Sequence, residues 1–103
     1  MKKIKTLRSL KKYYIAAMAG LPQVRKVVFY AEPGEPLFWT LIDAPPFQRV
    51  PRFEVYNKIQ KLLAQCEALL PDLRLVNSQE WAPGWKEEDV LPSGGEVIYQ
   101  RQQ

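Results

Sequence analysis

Residues 37–43, LFWTLID, place bulky apolar side chains at successive positions, interrupted by Thr40 alone before the run stops at Asp43. A strand with one face in water alternates apolar and polar residues. A run without alternation fits a central strand covered on both faces. The preceding stretch VRKVVFY, residues 24–30, is rich in β-branched and aromatic residues and also reads as a strand. Pro33 and Gly34 suit a tight turn between the two, so the pair predicts an antiparallel hairpin. The rest of the chain must then supply cover for both faces.

Two segments have helical periodicity. Ile4, Leu7, Leu10, Tyr14, Ala17 and Met18 recur at helical spacing and predict a helix from about residue 3 to 19, with Gly20 as its C-cap and Pro22 as a stop. The same stretch imitates a secretory leader, but its apolar face continues through the basic residues, as a helix of the domain requires and a leader does not. The second helix is predicted over residues 52–70. Its stripe is Tyr56, Ile59, Leu63, Cys66 and Leu70, widened by Val55, Leu62 and Leu69. Pro71 and Asp72 end it, LRLVN follows as a short strand, and EVIYQR near the end reads as the closing strand. The order α-β-β-α-β-β predicts an α+β fold of two layers, two helices on a mixed or antiparallel sheet of about four strands. A length of 103 residues suits a single domain spanning 1–103.

Charge and composition narrow the chemistry. Residues 1–26 hold eight Lys or Arg and no acid, whereas the remainder carries a net charge of −4. The helix face bearing Lys5, Arg8, Lys11 and Lys12 is a candidate for an anionic surface or for weak, sequence-independent nucleic-acid contact. The chain has no histidine, which removes the usual neutral-pH base and the commonest transition-metal ligand. The one cysteine, Cys66, allows no internal disulfide, which fits the cytoplasm. No apolar run is long enough to span a membrane, and no cofactor is expected.

Asp43 is the first catalytic candidate, since an acid ending a hydrophobic strand is held rigidly. Metal-assisted phosphoryl transfer needs several convergent carboxylates, and the residue two before it on the same strand face is Leu41. Asp72 would be its partner if the strands lie side by side. Glu32 and Glu35 flank the hairpin turn instead. The simpler reading makes Asp43 a turn residue whose carboxylate accepts backbone N–H groups before Pro45 and Pro46. Cys66 reads as core, Trp39 as sheet interior, and PSGGE as a turn. Trp81 and Trp85 lie in a Pro- and Gly-punctuated loop that folds back as a lid or presents a contact surface.

The sequence of a basic helix, VRKVVFY, a strand ending in an acid, RFEVYNKIQKLLAQCEALLPDLRLVN and GGEVIYQR resembles a minimal nucleotidyltransferase of the antitoxin type. It is also similar to short bacterial proteins that have no assigned activity. Where that family has Gly-Ser, this chain has Tyr30 and Ala31; where it has Asp-x-Asp, the first carboxylate is Leu41. The resemblance implies a scaffold that keeps the layers without the catalytic motifs. The leading expectation is therefore a regulatory or interaction module without catalytic activity. It would contact a protein partner or a second copy through Trp81 and Trp85 or through the basic helix. The alternatives are a divergent metal-dependent nucleotidyltransferase using Asp43 and Asp72, and a binder of nucleic acid or anionic surfaces.

Overall fold

A computed structural model of the chain describes residues 4–31, 36–66 and 71–101. The elements are α1 (Leu7–Ala19), β1 (Val24–Tyr30), β2 (Leu37–Ile42), α2 (Val50–Leu63), β3 (Asp72–Asn77), α3 (Glu87–Val90) and β4 (Glu96–Gln100), with a single 3₁₀ turn at Ser78–Glu80. The fold is α+β, with a four-stranded mixed sheet in the order β3-β2-β1-β4. β1 and β2 form the expected antiparallel pair, and β2 and β3 run parallel with α2 as the crossover. β4 pairs antiparallel with the outer side of β1. The hairpin turn at residues 32–35, with Glu32 and Glu35, lies outside the described residues, as do Leu69 and Leu70.

α1 begins where Thr6 accepts the Ser9 N–H at 3.1 Å, satisfying one of the free donors of the first turn. It therefore starts later than the periodicity suggests. Ile4 is buried but sits in an isolated bridge to Cys66. Leu10, Tyr14 and Met18, four residues apart, make the buried stripe. At the other end the Arg101 guanidinium donates to the carbonyls of Ala19, Leu21 and Val24. A cation there meets the negative end of the helix dipole and ties the last described residue to the end of the first helix.

The helix-side core holds Val27 and Phe29 of β1, Phe38 and Ile42 of β2, and Val55, Ile59 and Leu62 of α2. Tyr14 stacks on Phe38 with ring centroids 4.4 Å apart, and Phe29 packs on the same ring at 5.1 Å. Thr40 points into this core, fully buried, and shares a hydrogen bond with the Tyr14 hydroxyl. Each polar group thereby satisfies the other in an apolar setting. Burial pushes the Tyr14 hydroxyl well above the ordinary tyrosine range, against the opposing effect of Thr40. The α2 stripe is rotated from the one its spacing suggests. Leu62 is buried and Leu63 is packed at the margin, while Tyr56 is 43% exposed. Spacing centres the stripe on Tyr56, Ile59 and Leu63 with Val55 and Leu62 at its edge; in the fold Val55, Ile59 and Leu62 are the buried residues.

The second face of the sheet is closed by residues 78–95. Val28 and Tyr30 of β1 and Leu41 of β2 are buried there, and Trp39 shares that face by alternation along β2. The Tyr30 hydroxyl donates to the Pro92 carbonyl at 2.5 Å, and Lys26 pairs with Glu87 at 2.5 Å. Gly95 lies directly on β1. A Cβ at that position would come within 2.4 Å of Val28 Cγ1 and 2.6 Å of Tyr30 Cζ. In LFWTLI, Phe38, Thr40 and Ile42 are thus buried on the helix side, and on the lid side Leu41 is buried and Leu37 and Trp39 are half-buried.

Gly95→Ala should destabilise the protein by about 1–3 kcal/mol, the usual range for overpacking, because neither Val28 nor the Pro92-bound Tyr30 can withdraw freely. Urea denaturation checks this: the midpoint should fall. An unchanged midpoint would mean the lid does not press on β1.

Candidate interaction surface

At the ends of β2 and β3 the chain must turn from the sheet into α2, and Asn77 brackets the exit. Asn77 is buried. It accepts the Ala44 N–H at 3.2 Å and donates its amide to the Ala44 carbonyl at 3.0 Å. Pro45 and Pro46 then leave the sheet, exposed. Phe47 makes the reversal with φ of 64°, in the left-handed region that side chains with a Cβ avoid. It is the one non-glycine residue with positive φ among the described residues, and it is 88% exposed.

Glu80 holds this turn. Its carboxylate accepts the Phe47 N–H at 3.1 Å, the Arg52 guanidinium, and the Asn77 amide at 3.4 Å. The backbone N–H of Phe47 does most to hold the Glu80 carboxyl below its ordinary range; desolvation opposes it as the next largest effect, and Arg52 and Asn77 add to the lowering. A residue on the turn after β3 therefore fixes the entry to α2. Beyond that turn, Val50, Phe53 and Tyr56 follow at three-residue intervals and are 67%, 57% and 43% exposed. With Phe47 they make an apolar, largely aromatic ridge in water, the kind of surface that marks a contact site.

The residues singled out in the sequence are dispersed. Asp43 accepts the Arg25 guanidinium at 3.3 Å and the Gln79 side-chain amide at 2.6 Å. These are side-chain donors, which corrects the expectation of backbone N–H groups; Asn77 does the backbone work at this turn instead. Asp72 is paired with Leu37, whereas Ile42, next to Asp43, is paired with Asn77. Five strand residues separate the two levels, about 16 Å at the usual rise. The parallel register thus sets Asp43 and Asp72 at opposite ends of the strands, and they cannot share one ion. No group of three or more candidate metal ligands comes together among the described residues.

Lys5, Arg8 and Lys12 are exposed, but Lys11 is not part of that face. It turns to Glu96 at 3.0 Å and lies over the Phe29 ring, 4.7 Å from its centroid. Trp81 is half-buried in the lid, and Trp85 is 57% exposed. Cys66 is half-buried against the core, and burial pushes its thiol up. A groove of about 460 Å³ runs between β1, β4 and residues 87–95, but Lys26 and Glu87, two of the charged residues that line it, are bonded to each other. No helix of the described residues is long and apolar enough to cross a membrane.

The ridge was missed in the sequence because APPFQRVP reads as a connector. The available signal was that Phe47, Val50 and Phe53 belong to no buried stripe. Comparison of the chain with protein-family models, with curated proteins and with solved structures finds no match.

Because the Glu80 carboxyl is held below its ordinary range, its contribution to stability is present above the unfolded glutamate value of about 4.3 and is lost as pH falls through the lower folded value. Glu80→Gln should flatten the fall in stability as pH drops below about 4.3 relative to the wild type. Denaturation midpoints across that window check it; parallel curves for the two proteins would contradict the assignment.

Proposed function

We propose that this chain is a non-catalytic regulatory or interaction module of the cytoplasm, whose contact surface is the ridge of Phe47, Val50, Phe53 and Tyr56. The observation that carries the reading is Phe47: a large aromatic side chain held almost fully in water, on a backbone conformation that costs about 1–2 kcal/mol for a residue with a Cβ. Nothing in the packing of the monomer needs an aromatic there, and three groups converge on Glu80, which holds the turn. Strain of this kind gathers where a surface is shaped for a partner. The partner chemistry that fits is an apolar protein surface with a pocket for an aromatic ring. The free thiol of Cys66 fits a reducing compartment.

The resemblance to nucleotidyltransferases enters this reading as a likeness of scaffold. Leu41 stands where that family has the first carboxylate of Asp-x-Asp, and Asp43 is engaged by Arg25 and Gln79. A second reading, contact with nucleic acid or another anionic surface, is favoured by one observation. Lys5, Arg8 and Lys12 near and on α1, and Lys58 and Lys61 on α2, are all exposed.

Phe47→Gly tests the first reading. Glycine takes a positive φ without strain, so the thermal midpoint should hold or rise, while capture from the native host should lose the species retained by the wild type. Equal capture by both baits would remove Phe47 from the contact surface; a lower midpoint would make it structural.

For the second reading, short duplexes of unrelated sequence should bind with similar, weak affinity that fades as salt rises, because the lysines and arginine meet phosphates and no groove-reading element is present among the described residues. Fluorescence anisotropy across a salt series checks this. A preference for one sequence at physiological salt would contradict it.

A further inference from the structure

We infer that β3 is a docking edge for a second copy of this chain, joined antiparallel about Leu73 so that Asp72 of each copy faces Arg74 of the other. The two edges of the sheet differ. β4 has a register shift where it pairs with Val27 and Val28, and a bulge of this kind twists an edge away from further pairing. β3 keeps an unbroken register with β2 from Asp72 to Asn77 and is therefore straight enough to template another strand.

The backbone sets which groups are on offer. The Asp72 N–H donates to the Pro36 carbonyl at 2.7 Å, so Asp72, Arg74 and Val76 turn their backbone groups toward β2. Leu73 and Leu75 turn theirs outward. The Leu73 carbonyl receives the Arg74 guanidinium at 3.4 Å, a side chain standing where a neighbouring strand would donate. Leu73 and Leu75 are half-buried and belong to the margin of the helix-side core, so a strand beside them would extend that core.

Charge selects the partner and the register. Asp72 and Arg74 are both exposed and, two residues apart, share one face. With the two-fold axis at Leu73, the two copies of Leu73 exchange a pair of N–H···O=C bonds. Each Leu75 N–H reaches the other copy's Pro71 carbonyl, and Asp72 and Arg74 meet twice as opposite charges in closely spaced pairs. Moving the axis one residue either way sets Arg74 against Arg74 or Asp72 against Asp72. A self-complementary edge of this kind suits an isologous contact, in which the same patch serves both copies.

Sedimentation equilibrium of the full chain tests this with three variants. The wild type should associate as a concentration-dependent dimer. Arg74→Asp should raise the dissociation constant by about tenfold or more, since it replaces two attractive pairs with two repulsive ones. Asp72→Arg should do the same by the opposite charge. The double variant Asp72→Arg/Arg74→Asp should return the constant to within about threefold of the wild type. Circular dichroism confirms folding, and either single variant suffices if the other fails to fold. A wild type that stays monomeric, a dimer indifferent to Arg74→Asp, or a double variant as weak as the singles would each overturn the inference. Phe47→Gly should leave the dimer unchanged, which separates this edge from the ridge on α2.

Discussion

The burial of β2 on both faces is the constraint on which the remaining structure depends. Two-sided burial of Phe38, Leu41 and Ile42 removes apolar area from water on either side of one strand. It also demands two independent covers. The helices supply one, through the Tyr14 ring stacked on Phe38 and the Tyr14 hydroxyl bonded to Thr40. Residues 78–95 supply the other, and Gly95 lets their backbone approach β1 as closely as the strand itself allows. A side chain in the way on either face would open the strand to solvent.

The end of α1 and the ends of the strands are held by long-range polar bonds. Arg101 returns to the carbonyls at the close of α1, so β4 and the first helix stabilise one another. Asn77 and Glu80, on the far side of the crossover, shape the turn that leads into α2. The turn that carries the ridge lies in water, and its backbone is tied to Asn77 and Glu80 at Ala44 and Phe47.

Charge is distributed between the two covers. The helices present Arg8, Lys12, Lys58 and Lys61 to solvent, and acids cluster in the lid and at the start of β4, with Glu87, Glu88, Asp89 and Glu96. Among the described residues, ion pairs tie two of these acids to the rest of the fold, Glu96 to Lys11 and Glu87 to Lys26. Surface pairs of this sort contribute little stability singly. Here they help position the lid and the outer strand.

The order of elements, the hairpin and the central place of β2 were legible in the sequence. They rest on local periodicity and on an apolar run that has no other outlet. The α+β class followed from the same evidence. The rotation of α2, which exposes Tyr56 and buries Leu62, could not be read from spacing, because both residues fall within one broad apolar stripe and only tertiary packing decides which part of it is covered. The separation of Asp43 from Asp72 is a consequence of the parallel β2–β3 register, a relation between segments distant in sequence. Lys11 reads as one more basic residue until β4 brings Glu96 to it. Phe47 reads as part of a connector until Glu80, thirty-three residues away, is seen to hold it. Periodicity records what a segment can bury. Which residue remains in water is decided only when the whole chain has closed around β2.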